Sequence, residues 1–242
     1  MDSMKIVLLG YGKMGKVVEQ LAIENKHEIL FTVDNDTDWS LHREQLKNAD
    51  VAIEFSTPLT AAANIKKCFD AHIPVVVGTT GWYDQFDEIS KQCTQNNGCM
   101  FYASNFSIGV NVFFEINRLL ANLMNAHPEY GISIDEIHHI HKLDSPSGTA
   151  ITLAQDIIER LDRKKSWVNH ETEDFSEIEI NSLRTANVPG IHIVNYHSAN
   201  DTIEIKHTAH NRIGLASGAL LAATFVIGKT GIYTMKDLLN NK

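Results

Sequence analysis

Lys5–Gly15 reads KIVLLGYGKMG, a short apolar strand running straight into Gly10-Tyr11-Gly12-Lys13-Met14-Gly15. Val17, Val18, Leu21 and Ala22 then recur at helical spacing. Glycine-rich turns are common, so a G-x-G-x-x-G run says little by itself. Between a strand and a helix it gains meaning. There the first glycines allow a tight turn and let a pyrophosphate approach the helix N-terminus, and the third lets helix and strand pack closely. A second strand, Glu28 to Val33, leads to Asp34, nineteen residues after Gly15. A carboxylate at that distance accepts hydrogen bonds from adenosine ribose hydroxyls. The plainer alternative is a structural turn followed by a chance acidic residue.

Working outward, the alternation continues. Strands are expected at Val51–Phe55, Pro74–Val77 and Cys99–Ala103, with helices from Pro58 to Ala71 and from Asp84 to Asn96. Strands alternating with helices imply a parallel sheet with right-handed crossovers, whose ligands bind at the carboxyl ends of the strands. Asp34, Ser56, Gly78-Thr79-Thr80 and Ala103-Ser104-Asn105-Phe106 all fall at such ends. Contacts to nicotinamide or ribose are expected there, with a plain turn as the alternative for GTTG.

The pattern changes after a long helix that runs to about Ala126. Strands are expected at Ile132–Ile140, Ile178–Ala186, Ile191–Ser198 and Thr202–Thr208, with a polar loop over Asn169–Ser176. Turn signals at Val188-Pro189-Gly190 and Ala199-Asn200-Asp201 separate the later strands. They predict a mixed, largely antiparallel open sheet. Helices at Ile213–Gly228 and Met235–Leu239 are expected to return to the first domain. The chain thus reads as α/β, with a Rossmann-type parallel-sheet domain (1–106 and 212–242) and an α+β domain for substrate binding (107–211).

Within the second domain, Glu136–Ala150 reads EIHHIHKLDSPSGTA. Apolar side chains at Ala150, Leu153, Ala154, Ile157, Ile158 and Leu161 show helical spacing up to Lys164. Ser147 stands where an N-cap belongs, and Gly148 and Thr149 offer free backbone N–H groups to an anion. His138, His139, His141 and Lys142 arrive at the same place from the preceding strand. A proton-competent, cationic strand end facing such a helix start suits a carboxylate substrate.

Plainer readings exist for each residue. The histidines lack a familiar metal-ligand spacing, so no metal is expected. His141 reads as a passenger, and capping already explains Ser147. Arg212, after Lys206-His207-Thr208-Ala209-His210, can grip a carboxylate bidentately or serve a structural ion pair.

The chain has 242 residues, 43% hydrophobic and 21% charged, with a net charge of −9. That is enough chain for two cored domains, and the negative balance argues against nucleic acid or an anionic membrane surface. The longest apolar run, Ala219–Ile227, is too short to span a bilayer. The start, MDSMKIVLLG, shows no signal-peptide cleavage pattern, and Cys68, Cys93 and Cys99 lack C-x-x-C spacing. A reducing, cytoplasmic setting is expected. From residues alone, the chain is a nicotinamide-dependent reductase of a small carboxylate.

EIHHIHKLDSPSGTA also closely resembles the E-x-H-H-x-x-K-x-D-x-P-S-G-T-A signature of the 4-hydroxy-tetrahydrodipicolinate reductase (dihydrodipicolinate reductase) family. The glycine loop, GTTG at 78–81, ASNFSIGVN at 103–111 and EIKHTAHNR at 204–212 follow in that family's order. The resemblance implies NADH- or NADPH-dependent reduction of a small cyclic dicarboxylate in diaminopimelate and lysine biosynthesis. It also implies a homotetramer assembled through the substrate-domain sheets, and hinged domains. By the same pattern His138 is the general acid/base and Lys142 a proton donor. His139, Gly148 and Thr149 bind the substrate's carboxylates on that pattern, and Ser147, Thr80 and Arg212 are further candidates for substrate contact. Gly10 to Gly15, Asp34, Gly78 to Thr80 and Ala103 to Phe106 contact the cofactor.

Three departures stand out. GYGKMG is one residue tighter than the family's common G-x-x-G-[RK]-M-G. Asp34 is followed by Asn35-Asp36-Thr37-Asp38, without an arginine for a 2′-phosphate. Ser56-Thr57 stands where some relatives carry another arginine. Aspartates repel a phosphate, so the preference is expected to tilt towards NADH. Two rivals remain: an amino-acid dehydrogenase sharing the first domain, and a non-catalytic dinucleotide sensor.

Overall fold

The computed structural model describes residues 3–240. It divides into two compact units: the chain up to Ile108 together with the chain from Arg212 on, and Gly109–Asn211.

The first unit contains β1 (Lys5–Leu9), α1 (Lys13–Glu24), β2 (Glu28–Val33), α2 (Asp36–His42), β3 (Val51–Glu54), α3 (Pro58–Asp70), β4 (Val75–Val77), α4 (Phe86–Gln95) and β5 (Cys99–Tyr102). The second unit holds most of α5 (Ile108–Met124), then β6 (Gly131–His138), α6 (Gly148–Ile158), β7 (Ser166–Val168), β8 (Glu177–Arg184), β9 (Gly190–His197) and β10 (Thr202–Ala209). After Arg212 the chain adds α7 (Ile213–Val226), β11 (Gly231–Tyr233) and α8 (Met235–Asn240) to the first unit.

The first sheet runs β11-β5-β4-β3-β1-β2, with every pairing parallel. β3 and β4 are buried throughout because helices cover both faces, which is why β4 is all valine and β3 is apolar up to its last residue, Glu54. Ala61, Ile65, Phe69 and Ile89 pack on one face; Val18, Ala22, Ala216, Ala219 and Ala223 pack on the other. The small residues of α7 permit close approach: a Cβ on Gly218 would lie 1.7 Å from the Phe106 carbonyl oxygen. The strand order reverses at β1, flanked by β2 and β3. In parallel sheets of this kind ligands bind at such a switch point, outside the carboxyl ends of the strands.

The second sheet runs β10-β9-β6-β8-β7. Its two longest ladders, β9 with β10 and β6 with β9, are antiparallel, while β8 and the short β7 run parallel to β6. It is the mixed, mostly antiparallel sheet that the sequence predicts. The hydrophobic core lies on one face, where Ile132, Ile134, Ile178, Ile180, Val194 and Tyr196 meet Phe113, Phe114, Ala121, Leu153 and Ile157 from α5 and α6.

Several boundaries differ from expectation. β6 ends at His138, so His139 to Lys142 form a turn rather than more strand. α6 starts at Gly148 and ends at Ile158; Leu161 stays buried through a turn in which its N–H donates to the Ile157 carbonyl. β7 and β11 are three residues each, too short to show alternation in sequence. α2 was also not foreseen. The stretch expected to crowd a phosphate with charge is a capped helix start: the Asn35 side chain accepts from the N–H groups of Thr37 and Asp38, and Asp38 accepts from those of Asp34 (2.8 Å) and Asn35 (3.3 Å). Among the described residues, no helix is long and apolar enough to cross a membrane.

Candidate functional site

In the first unit the chemistry is carried by backbone. Gly10 has φ +92° and its N–H donates to the Val33 carbonyl at 2.7 Å, bridging the ends of β1 and β2. A Cβ there would sit 2.2 Å from the Phe55 carbonyl oxygen, just beyond β3. A Cβ on Gly15 would lie 2.3 Å from the Gly10 carbonyl oxygen, so this glycine lets α1 abut the loop. Gly12 differs: a Cβ would meet nothing within 4 Å. It is the N-cap of α1 without a side-chain cap, and no acidic residue stands in the first turn. Uncapped N–H groups at an open helix start fit a pyrophosphate. Asp34 accepts from the Tyr11 N–H at 3.0 Å, and so joins the loop to the end of β2. The Tyr11 hydroxyl bonds to Glu19, while Lys13 is exposed and Met14 half-buried.

At the neighbouring strand ends, a Cβ on Gly78 would lie 2.0 Å from the Phe55 ring, and Thr79 is buried with its carbonyl accepting from the Trp82 indole. Thr80 and Ser104 are exposed, Ala103 half-buried, and Asn105 accepts from the Ser107 N–H. Phe106 is in the core against Phe55 and Phe101, which leaves its backbone rather than its ring for any ligand. A buried carboxyl that sequence reasoning passed over, Glu54, ends β3. Burial raises its pKa, and hydrogen bonds from Ser56 and Asn64 oppose the rise.

In the second unit, side chains carry the chemistry. On the helix-covered face of the sheet, successive cross-strand rows change from apolar to polar towards the end of β6. Ile180, Ile134, Val194 and Ile205 lie side by side, followed by Ser182, Glu136, His192 and His207, and then Arg184 beside His138. The two-residue period never breaks; only the residue type changes. Glu136 is fully buried. Its Oε2 bonds to His138 Nδ1, and its Oε1 accepts from the Arg184 guanidinium (2.7 Å) and the Ser147 N–H (3.3 Å). Burial alone would raise its pKa. Hydrogen bonds from His138, Arg184 and Ser182 outweigh burial and hold it at about 2. His192 goes the other way: burial and the neighbouring His138 push it down to about 3.

Ser147 caps α6, accepting from the Ala150 N–H at 3.2 Å, and its hydroxyl meets His192 Nε2 at 2.9 Å. Gly148 is exposed and open, Thr149 half-buried. Lys142 pairs with Asp144 at 2.9 Å. Burial would raise the Asp144 pKa, but the Lys142 ammonium brings it below its usual value. The His139 ring lies one residue past the strand with a buried, unpartnered Nδ1 among the described residues, and His141 is exposed. Arg212 is exposed at the N-cap position of α7 in the first unit, with no acidic partner among the described residues.

Of the expected residues, the second unit brings together His138, Lys142, Ser147, Gly148 and Thr149. Sequence reasoning missed Glu136, Arg184, His192 and Gly190, although the alternation places Glu136 on the face of His138. Donor atoms of Glu136, His138 and His192 lie within 4.8 Å of one another. Each already has a hydrogen-bond partner and Arg184 balances the carboxylate, so the cluster reads as a proton network.

Sequence models described as dihydrodipicolinate reductase N-terminus and C-terminus match residues 4–106 and 109–239. A 4-hydroxy-tetrahydrodipicolinate reductase of Christiangramia forsetii is 49% identical over 98% of this chain and 98% of its own. One from Clostridium tetani is 34% identical over 98% and 97%. Among solved structures, a dipicolinate-bound dihydrodipicolinate reductase from Paenisporosarcina sp. TG-14 superposes with TM-score 0.74 at 22% identity, over 96% of this chain and 98% of that one.

Proposed function

This chain belongs to the dihydrodipicolinate reductase family, and from that premise we propose that it reduces 4-hydroxy-tetrahydrodipicolinate to tetrahydrodipicolinate with NADH or NADPH. The observation that carries the reading is a buried hydrogen-bond network of Glu136, His138, Ser147 and His192 that runs directly into the N-terminus of α6. The net change replaces a ring hydroxyl by hydrogen: one hydride and one proton enter, and water leaves. The bound dinucleotide supplies the hydride. The open N-terminus of α1 binds its pyrophosphate and Asp34 its adenosine ribose. The amides of Gly148 and Thr149, with His139, take the substrate carboxylates, to which Lys142 can turn from Asp144. His138, with Lys142, delivers the proton, as a positioned imidazole does in general acid catalysis.

The finer parts of this reading follow from the same residues. Asp34 is exposed at the end of β2 with Asp36 and Asp38 close in sequence, and an added 2′-phosphate meets net repulsion there, favouring NADH. The face of the second sheet away from the helices sets Leu183, Ile137 and Ile191 in one row, with Leu183 56% exposed, which supports pairing of subunits through these sheets into a homotetramer. The enzyme belongs, on this reading, to the cytoplasmic route to diaminopimelate and lysine.

The test follows NADH and NADPH oxidation separately, with substrate made in place by a synthase from pyruvate and aspartate semialdehyde. Substrate-dependent oxidation with a larger kcat/KM for NADH is expected. Cofactor binding without turnover would move the sensor reading to the front, and a strong NADPH preference would sink the charge argument alone.

A further inference from the structure

We propose that Glu136 is the positioning residue of this site, fixing His138 in one tautomer and tying it to the start of α6. The proposal rests on the reading of His138 as the proton donor.

Three observations carry it. Glu136 is completely buried, yet both of its oxygens are used, and by different elements. Oε2 meets His138 on its own strand, while Oε1 receives Arg184 from β8 and the Ser147 N–H from the turn into α6. An ionised carboxylate can only accept hydrogen bonds, so His138 Nδ1 must carry a hydrogen. The proton passed to substrate is therefore the one on Nε2. Second, Nε2 has room because Gly190 faces it: a Cβ on that glycine would stand 3.0 Å from Nε2. Third, the nearest other imidazole, His192, is engaged by the Ser147 hydroxyl at 2.9 Å and so does not replace His138 as acid.

The titratable and charged groups around His138 are Glu136 on β6, Arg184 from β8, His192 from β9 with His207 beyond it on β10, and Lys142 and Asp144 from the following turn. Of these, Glu136 alone combines a negative charge with a bond to the ring. A buried carboxylate so placed selects the tautomer, holds the ring and stabilises its protonated form. Because the same carboxylate accepts from the Ser147 N–H, the acid and the cap of the carboxylate-binding helix share one anchor. An Arg184–Glu136 pair serving only stability would account for the ion pair and not for the second oxygen.

Glu136→Gln keeps the shape and removes the charge. The proposal predicts a kcat at least about tenfold lower, with the alkaline fall of the kcat profile moved to lower pH and the NADH Kd unchanged. It also predicts that 15N-histidine spectra of the wild type, with His138 assigned by its loss in His138→Asn, show a neutral His138 protonated at Nδ1. A variant that folds with wild-type kcat and an unmoved alkaline limb overturns the proposal, as does a neutral His138 protonated at Nε2. If Glu136→Gln does not fold, the tautomer measurement on the wild type decides. If the wild type oxidises neither cofactor, the reductase reading has failed instead, and the tautomer still tests the Glu136–His138 pair on its own.

Discussion

The glycine loop of the first unit and the polar row of the second do opposite things with side chains. Around Gly10 and Gly15 the sequence removes side chains so that backbone groups can meet each other, and Gly12 leaves the start of α1 open. Around Glu136, His138 and His192 it keeps the backbone regular and changes only what projects from it. Recognition built from backbone tolerates no added atom. Recognition built from side chains tolerates shape changes and is sensitive to charge. The substitutions with the clearest outcomes are those that add an atom to the first region or alter charge in the second.

Among changes to the first region, Gly10→Ala should have the largest effect. The new Cβ collides with the Phe55 carbonyl oxygen at a φ of +92°, a cost of roughly 3 kcal/mol or a hundredfold in dinucleotide Kd, read by fluorescence titration. An unchanged Kd would show that the loop is only a turn.

Acid stability comes next. His192 is pushed down to about 3, so on acidification the unfolded chain takes up its proton from about pH 6.5 while the native ring stays neutral. Stability is unaffected above that pH and falls as pH drops from there towards 3, by roughly 2 kcal/mol at pH 5. Glu136, held at about 2, adds its own loss only below its unfolded value of about 4.5. Urea unfolding at pH 7 and pH 5 checks this: His192→Asn should lose most of the slope. Equal slopes would place the acid sensitivity elsewhere.

Gly190→Ala adds one carbon against His138 Nε2 and should cost about tenfold in kcat while NADH affinity stays as it is. A fall in NADH affinity instead would break the division between the two regions. Smallest is Asp38→Ala, which removes the reciprocal cap of α2 and should cost about 1 kcal/mol of stability, measured by thermal unfolding.

What the sequence shows differs between the regions for a physical reason. A loop that needs glycines at fixed intervals between a strand and a helix is local, so Gly10 to Gly15 and Asp34 can be read directly. The Pro58 start of α3 and the Ser147 cap of α6 are local too. The polar row is not. Arg184 lies 46 residues after His138, and His192 lies 56 residues after Glu136. Only the strand order β9-β6-β8 brings them together, and periodicity cannot reveal that order. Glu136 was within reach, being two residues from His138 on one strand, but its burial and its bonds to Arg184 and Ser147 needed the fold. Asp38 shows the converse: a side chain that reads as free charge is committed to a helix cap. Phe106 lies in a loop that reads as ligand-facing, yet its ring completes the core.

The most direct measurement is the kcat of His138→Ala beside the wild type, with substrate made in place and NADH Kd determined for both. A fall of about 10²- to 10⁴-fold in kcat with an unchanged NADH Kd is the predicted result. A variant that turns over at the wild-type rate would contradict the assignment of proton transfer to this row.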